Sequence, residues 1–110
     1  MLIILRKVFG QEHLWKITHE ALQGFRDMGC EIGHTETPII PLFIRDNNKT
    51  FAITRDLLNE GIFVNPVVSP AVAPNDTLIR FSLMATHTHE QVSFALEKIQ
   101  KVFRAYGLVP

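Results

Sequence analysis

The chain has 110 residues, 46% of them hydrophobic, and its eleven basic side chains balance eleven acidic ones. That length suits one domain, residues 1–110, able to bury roughly two thirds of its unfolded surface around a single core. A zero net charge excludes a strong field for nucleic acid or an anionic membrane, leaving a small molecule or another protein as partner. Taking the chain in order, Met1 to Leu5 is apolar but stops at Arg6-Lys7, too short for a signal-peptide core or a membrane span. Leu14, Ile17, Ala21, Phe25 and Met28 then recur at helical spacing and Gly29 follows as a left-handed stop, which predicts a helix over 14–28. His13, Trp15 and His19 lie on or near it, where packing or partner contact is expected. Cys30 is the single cysteine, with no second thiol for a disulfide or a zinc site; it reads as a quiet near-core residue suited to a reducing cytoplasm.

A first strand carries Pro38 and Pro41, and a turn at Asp46-Asn47-Asn48 leads into a shorter amphipathic helix built on Phe51, Thr54, Leu57 and Leu58 and ended by Gly61. A second strand carries Pro66, the loop Ser69 to Asn75 is stiffened by Pro70 and Pro74, and a third strand runs from Leu78 to Met84. The final helix is the clearest element. Thr88 with Gln91 forms a capping-box pattern, and Val92, Ala95, Leu96, Ile99, Val102, Phe103 and Tyr106 make a continuous apolar stripe before Gly107.

Proline orders the strands, because a central strand must donate amide hydrogens on both sides. The first two strands contain proline and Leu78 to Met84 does not, so the third is expected in the middle. The predicted fold is α+β: a small, largely antiparallel three-stranded sheet with helices packed on one face. Alternation along the third strand puts Ile79, Phe81 and Leu83 on the core face and Leu78, Arg80 and Ser82 on the other. The uncovered face therefore carries a fixed cation. A guanidinium presents a planar fork of donors matched to a carboxylate or phosphate, which makes Arg80 the first candidate for anion binding, against an internal ion pair with a residue such as Asp76. Asn65 and Ser82 are weaker candidates on neighbouring positions of the sheet. Ile62, Val64, Val68 and Leu78 add apolar surface to whichever face they join, and an exposed patch of that kind marks a partner surface.

The ordered blocks Thr37-Pro38-Ile39-Ile40-Pro41, Leu57-Leu58-Asn59-Glu60-Gly61-Ile62-Phe63-Val64-Asn65-Pro66-Val67, Ser69-Pro70-Ala71-Val72-Ala73-Pro74 and Leu78-Ile79-Arg80-Phe81-Ser82-Leu83-Met84-Ala85-Thr86-His87-Thr88 resemble the C-terminal small domain of the α-oxoamine synthases, enzymes dependent on pyridoxal 5′-phosphate (PLP). The resemblance covers most of the chain, with residues 1–12 a poorly matched lead-in, and only the tail of the family. It implies a homodimeric parent enzyme that condenses a small amino acid with an acyl-CoA, a large PLP-binding domain packed against this one, and Arg80 as the residue that holds the substrate carboxylate. It also implies that the loop Ser69 to Asn75 lies beside the site and closes over it. Ser69 stands where the family often has proline and Asn75-Asp76 where a glycine turn is frequent, departures that bear on the loop.

The family's Schiff-base lysine has no counterpart. Lys7, Lys16, Lys49, Lys98 and Lys101 sit in charged or helical surface patterns, so this chain alone is expected to be inactive and to bind no PLP. It reads as a piece of a longer enzyme or a decayed paralogue. His87 and His89 flank Thr88 without carboxylate or cysteine companions nearby, so no metal site is expected. Two other classes stay open. The chain could be a stand-alone module that binds an amino acid through Arg80 without chemistry, or an RNA-binding sandwich; the second lacks stacked aromatics, because Phe81 faces with Ile79 and Leu83.

Overall fold

The computed structural model describes the backbone of residues 2–110 and the side chains of residues 11–110. The elements run α1 (Leu2–Met28), β1 (Ile39–Phe43), α2 (Asn47–Asn59), β2 (Asn65–Val67), a short 3-10 turn (Pro74–Asp76), β3 (Leu78–Ser82) and α3 (His89–Ala105). The strands form one antiparallel sheet in the order β1-β3-β2, so the proline-free strand is central as its sequence requires. Pro38 falls just outside β1, and its carbonyl still accepts a hydrogen bond from the Leu83 amide. All described helices lie on one side of the sheet. Ile17, Ala21 and Phe25 from α1, Ile53 and Leu57 from α2, and Val92, Ile99 and Phe103 from α3 meet Ile40, Leu42, Ile79 and Phe81 of the sheet in one core. Phe25 and Phe81 pack edge to face with ring centroids 5.2 Å apart. No helix among the described residues is long and apolar enough to cross a membrane.

The helix ends follow from local chemistry. Thr88 and Gln91 form the full capping box expected from the sequence, each side chain taking the other's backbone amide. Asp46 is the N-cap of α2, accepting from the Lys49 amide, so the Asp-Asn-Asn turn begins the helix instead of preceding it. Gly29 ends α1 with φ +93°, in the left-handed region where a side chain is strained. Gly24 lets α1 and α3 approach closely, since a Cβ there would lie 2.7 Å from Leu96 Cδ1.

Two expectations need correction. Helix α1 begins at Leu2, well before the stripe at Leu14, because the backbone continues helical through residues whose apolar spacing gives no clear face. In α2 the expected stripe holds at Leu57, which is buried, but not at Phe51 and Leu58, which are more than half exposed; Thr50 and Ile53 face inward with Leu57 instead. Thr50 is tolerated in the core because its hydroxyl donates to the Asp46 carbonyl and accepts from the Thr77 hydroxyl, which leaves no buried polar atom unpaired among the described side chains. Ile62 and Val64, whose side was undecided, are buried with the core, while Leu78 and Val68 stay partly exposed. Ile53→Ala is therefore expected to cost about 2–5 kcal/mol in urea denaturation and Phe51→Ala less than about 1 kcal/mol. Equal losses at the two positions would contradict this phase of α2.

Candidate functional site

The open sheet face is built by the register of three strands. Arg80 lies opposite Pro41 on β1 and Asn65 on β2, Leu78 lies between Phe43 and Val67, and Ser82 lies opposite Ile39. Residues directly opposite in antiparallel strands share a face, so these eight side chains lie on one surface. Arg80, Asn65 and Ser82 are exposed there, brought together as expected from the sequence. The Arg80 guanidinium makes no ion pair or hydrogen bond among the described residues. Asp76, the partner proposed for an internal ion pair, instead accepts from Arg45 Nη1 at 3.2 Å. A shallow groove of about 440 Å³ runs beside Arg80, lined by Thr35, Thr37, Ile39, Pro41, Val67 and Leu78.

The loop between β2 and β3 is pinned at both ends to the start of α2. At its entry the Ser69 amide donates to Asn47 Oδ1 at 3.2 Å. At its exit Arg45 Nη1 donates to the Asn75 carbonyl at 3.1 Å and to Asp76, while Arg45 Nε reaches Glu31 at 3.0 Å. Buried Thr77 completes the anchor, its carbonyl accepting from the Ile44 and Arg45 amides. Between these points the residues from Pro70 to Ala73 stay largely in solvent. Arg45 pays for this role with a left-handed backbone, φ 65°, and its guanidinium lies 4.9 Å from the centroid of the Phe43 ring. Sequence reasoning missed Arg45, since neither its dihedral nor its distant partners at 31, 75 and 76 leave a local pattern.

Other candidates fall outside this face. His87 Nδ1 accepts from the Met84 amide, its carbonyl meets His13 Nε2, and His89 pairs with Glu20; these contacts tie α1 to the start of α3. No group that could hold a metal ion occurs among the described residues. Burial pushes the Cys30 thiol up to about 12, so it stays a neutral, unreactive part of the packing. Lys16 and Lys49 are exposed on α1 and α2, Lys98 and Lys101 of α3 bind Glu60 at the C-terminal end of α2, and none lies on the face with Arg80.

Serine palmitoyltransferase of Bacteroides thetaiotaomicron is 55% identical to this chain over 96 residues, covering 87% of the chain and 24% of that protein. The 8-amino-7-oxononanoate synthase of Petrotoga mobilis is 37% identical over 94 residues, covering 86% of the chain and 24% of that protein. The solved serine palmitoyltransferase of Sphingomonas wittichii superposes with a TM-score of 0.87 at 35% identity, over 93% of this chain and 26% of that one. The chain is related by descent to the C-terminal small domain of the α-oxoamine synthases. It spans about a quarter of the length of the curated relatives it matches. No family model matches it. A further α-oxoamine synthase structure, serine palmitoyltransferase from S. paucimobilis solved with bound PLP and myriocin, superposes with a TM-score of 0.86 at 27% identity. It covers 94% of this chain and 26% of that one.

The Arg45 clamp has a measurable signature. Hydrogen bonds from Arg45 hold the Glu31 carboxyl below its ordinary range, so the pair adds stability above that range and loses it as pH falls through the lowered value. In Arg45→Met, a carboxyl-detected NMR titration should show Glu31 moving up to the ordinary carboxylate range, and the loop amides near 75 and 76 should shift. An unmoved Glu31 titration would show that the clamp does not form in solution.

Proposed function

We propose that this domain serves a PLP-dependent acyltransferase that condenses a small amino acid with an acyl-CoA, and that its part is to hold the amino-acid carboxylate on Arg80. The observation that carries the reading is Arg80 itself: an exposed guanidinium in the middle of a rigid central strand, with no anionic partner among the described residues. A bidentate grip on a carboxylate fixes both the position and the rotation of the α carbon, so the arginine governs which bond is presented for reaction as well as affinity. Asn65 and Ser82 flank that position and supply weaker hydrogen bonds to the same headgroup. The loop Ser69 to Asn75, pinned at its ends and free between them, closes over the bound substrate and limits water.

PLP supplies the electron sink for carbon–carbon bond formation in such chemistry. It is held by a large domain beyond these residues, in a homodimeric enzyme, and the domain alone neither binds PLP nor turns over substrate. Identity favours serine as the amino acid and a long-chain acyl thioester as its partner, because 55% identity to a serine palmitoyltransferase exceeds 37% to an 8-amino-7-oxononanoate synthase.

The test is a chimera in which this chain replaces the matching quarter of the Bacteroides thetaiotaomicron enzyme. The chimera should condense serine with palmitoyl-CoA, and Arg80→Ala should lower kcat/KM for serine roughly a hundredfold or more, the scale of two charge-assisted hydrogen bonds. An active chimera indifferent to Arg80→Ala would refute the role of the arginine. A folded, PLP-loaded but inactive chimera would count against the acyltransferase reading.

A further inference from the structure

The turn between β1 and α2 carries a side chain that stability does not explain. Arg45 is the one non-glycine residue with a left-handed backbone among the described residues. The turn itself is made by backbone: the Ile44 and Arg45 amides both donate to the Thr77 carbonyl, bonds that glycine would make there without strain. The arginine must be accounted for by its guanidinium. Nε and Nη2 donate to the Glu31 carboxylate, and Nη1 donates to the Asn75 carbonyl and to Asp76. The side chain of Arg45 is 43% exposed and those of Glu31 and Asp76 are more than half exposed, so water screens these pairs and they return little stability. What they do is join three separate segments: the approach to β1, the turn into α2, and the exit of the loop that precedes β3. The entry of the same loop is held at Asn47, which accepts from the Ser69 amide, and Asp46 between them caps α2. Three consecutive residues thus hold both ends of the loop and start a helix.

We propose that Arg45 is a positioning residue for the condensation: through Asn75 and Asp76 it sets where the loop Ser69 to Asn75 stands when it covers the bound amino acid. The inference rests on the reading of that loop as the cover of the substrate, and adds the group that governs it. Arg45 touches neither substrate nor cofactor. Its planar fork holds Glu31 and the loop at the same time, which a single ammonium does poorly. Without the fork, the loop exit keeps only the backbone contacts at Thr77, and the residues before it spend more time open to water. Because the pairs are exposed, added salt loosens the loop long before it affects the core.

Arg45→Gly separates positioning from folding, since glycine keeps the left-handed turn and removes only the fork. In the chain itself the thermal midpoint should hold, while amide exchange at Ala71 and Asp76, both hydrogen-bonded within the loop, should quicken severalfold. In the chimera with the Bacteroides thetaiotaomicron enzyme, Arg45→Gly should lower kcat/KM for serine about tenfold and Arg45→Lys should lie between it and the parent. Potassium chloride should depress kcat/KM less steeply in Arg45→Gly than in the parent chimera, because the screened pairs are already gone. Unchanged kcat/KM in a chimera that still depends on Arg80 would overturn the proposal and leave the reading of Arg80 standing, as would unchanged exchange at Ala71 and Asp76. A thermal midpoint that falls together with activity would make Arg45 a folding residue and overturn the proposal as well. A folded, PLP-loaded but inactive chimera would overturn it together with the acyltransferase reading.

Discussion

Everything in this domain depends on β3 being hydrogen-bonded on both sides. A strand with two neighbours cannot slide or twist freely, and a one-residue slip would exchange Ile79 and Phe81 for Arg80 and Ser82 in the core. That exchange would place a guanidinium where Ile79 is now fully buried, at a cost far beyond what a small domain can absorb. The same constraint that defines the core thus fixes the cation on the opposite face. The proposed carboxylate grip would use a rigidity that folding already required.

The loop and the face are held by different means. Arg80 is located by backbone pairing alone, whereas the loop before it depends on side chains gathered from distant parts of the chain: Asn47 at its start, and Arg45 with Glu31 at its end. Exposed ion pairs of this sort contribute little to global stability and are screened by salt. They restrain the ends of the loop without burying its middle. The core is insensitive to them, since its helices and strands meet through apolar contacts and a fully satisfied Thr50–Thr77 pair.

Much of this was legible in the sequence because it rests on short-range rules. Proline placement identified the central strand, strict alternation assigned Ile79, Arg80 and Phe81 to their faces, and the Thr88–Gln91 spacing located the start of α3. What was not legible depends on tertiary choices. The face that α2 buries was only partly identified, at Leu57, because Phe51 and Leu58 are as apolar as Ile53, and only the position of the helix over the sheet decides between them. Of the residues in the groove, Thr35 and Thr37 precede any regular element and gave no periodic signal. Strand alternation and strand order placed Arg80, Asn65 and Ser82 on one face, but nothing local announced Arg45.

The two margins of the sheet carry one more consequence. Along β1 the Phe43 amide points away from β3 and is already taken by the Glu31 carbonyl, while β2 is only three residues long with Pro66 at its centre. Neither margin offers a run of free amides, so the sheet cannot be lengthened by a fourth strand from another molecule. Fibre growth through strand addition is closed off even with Ile39 and Phe63 standing in solvent. A protein that joins this domain must settle on it broadside, over the surface that bears Arg80 or against the helices behind it.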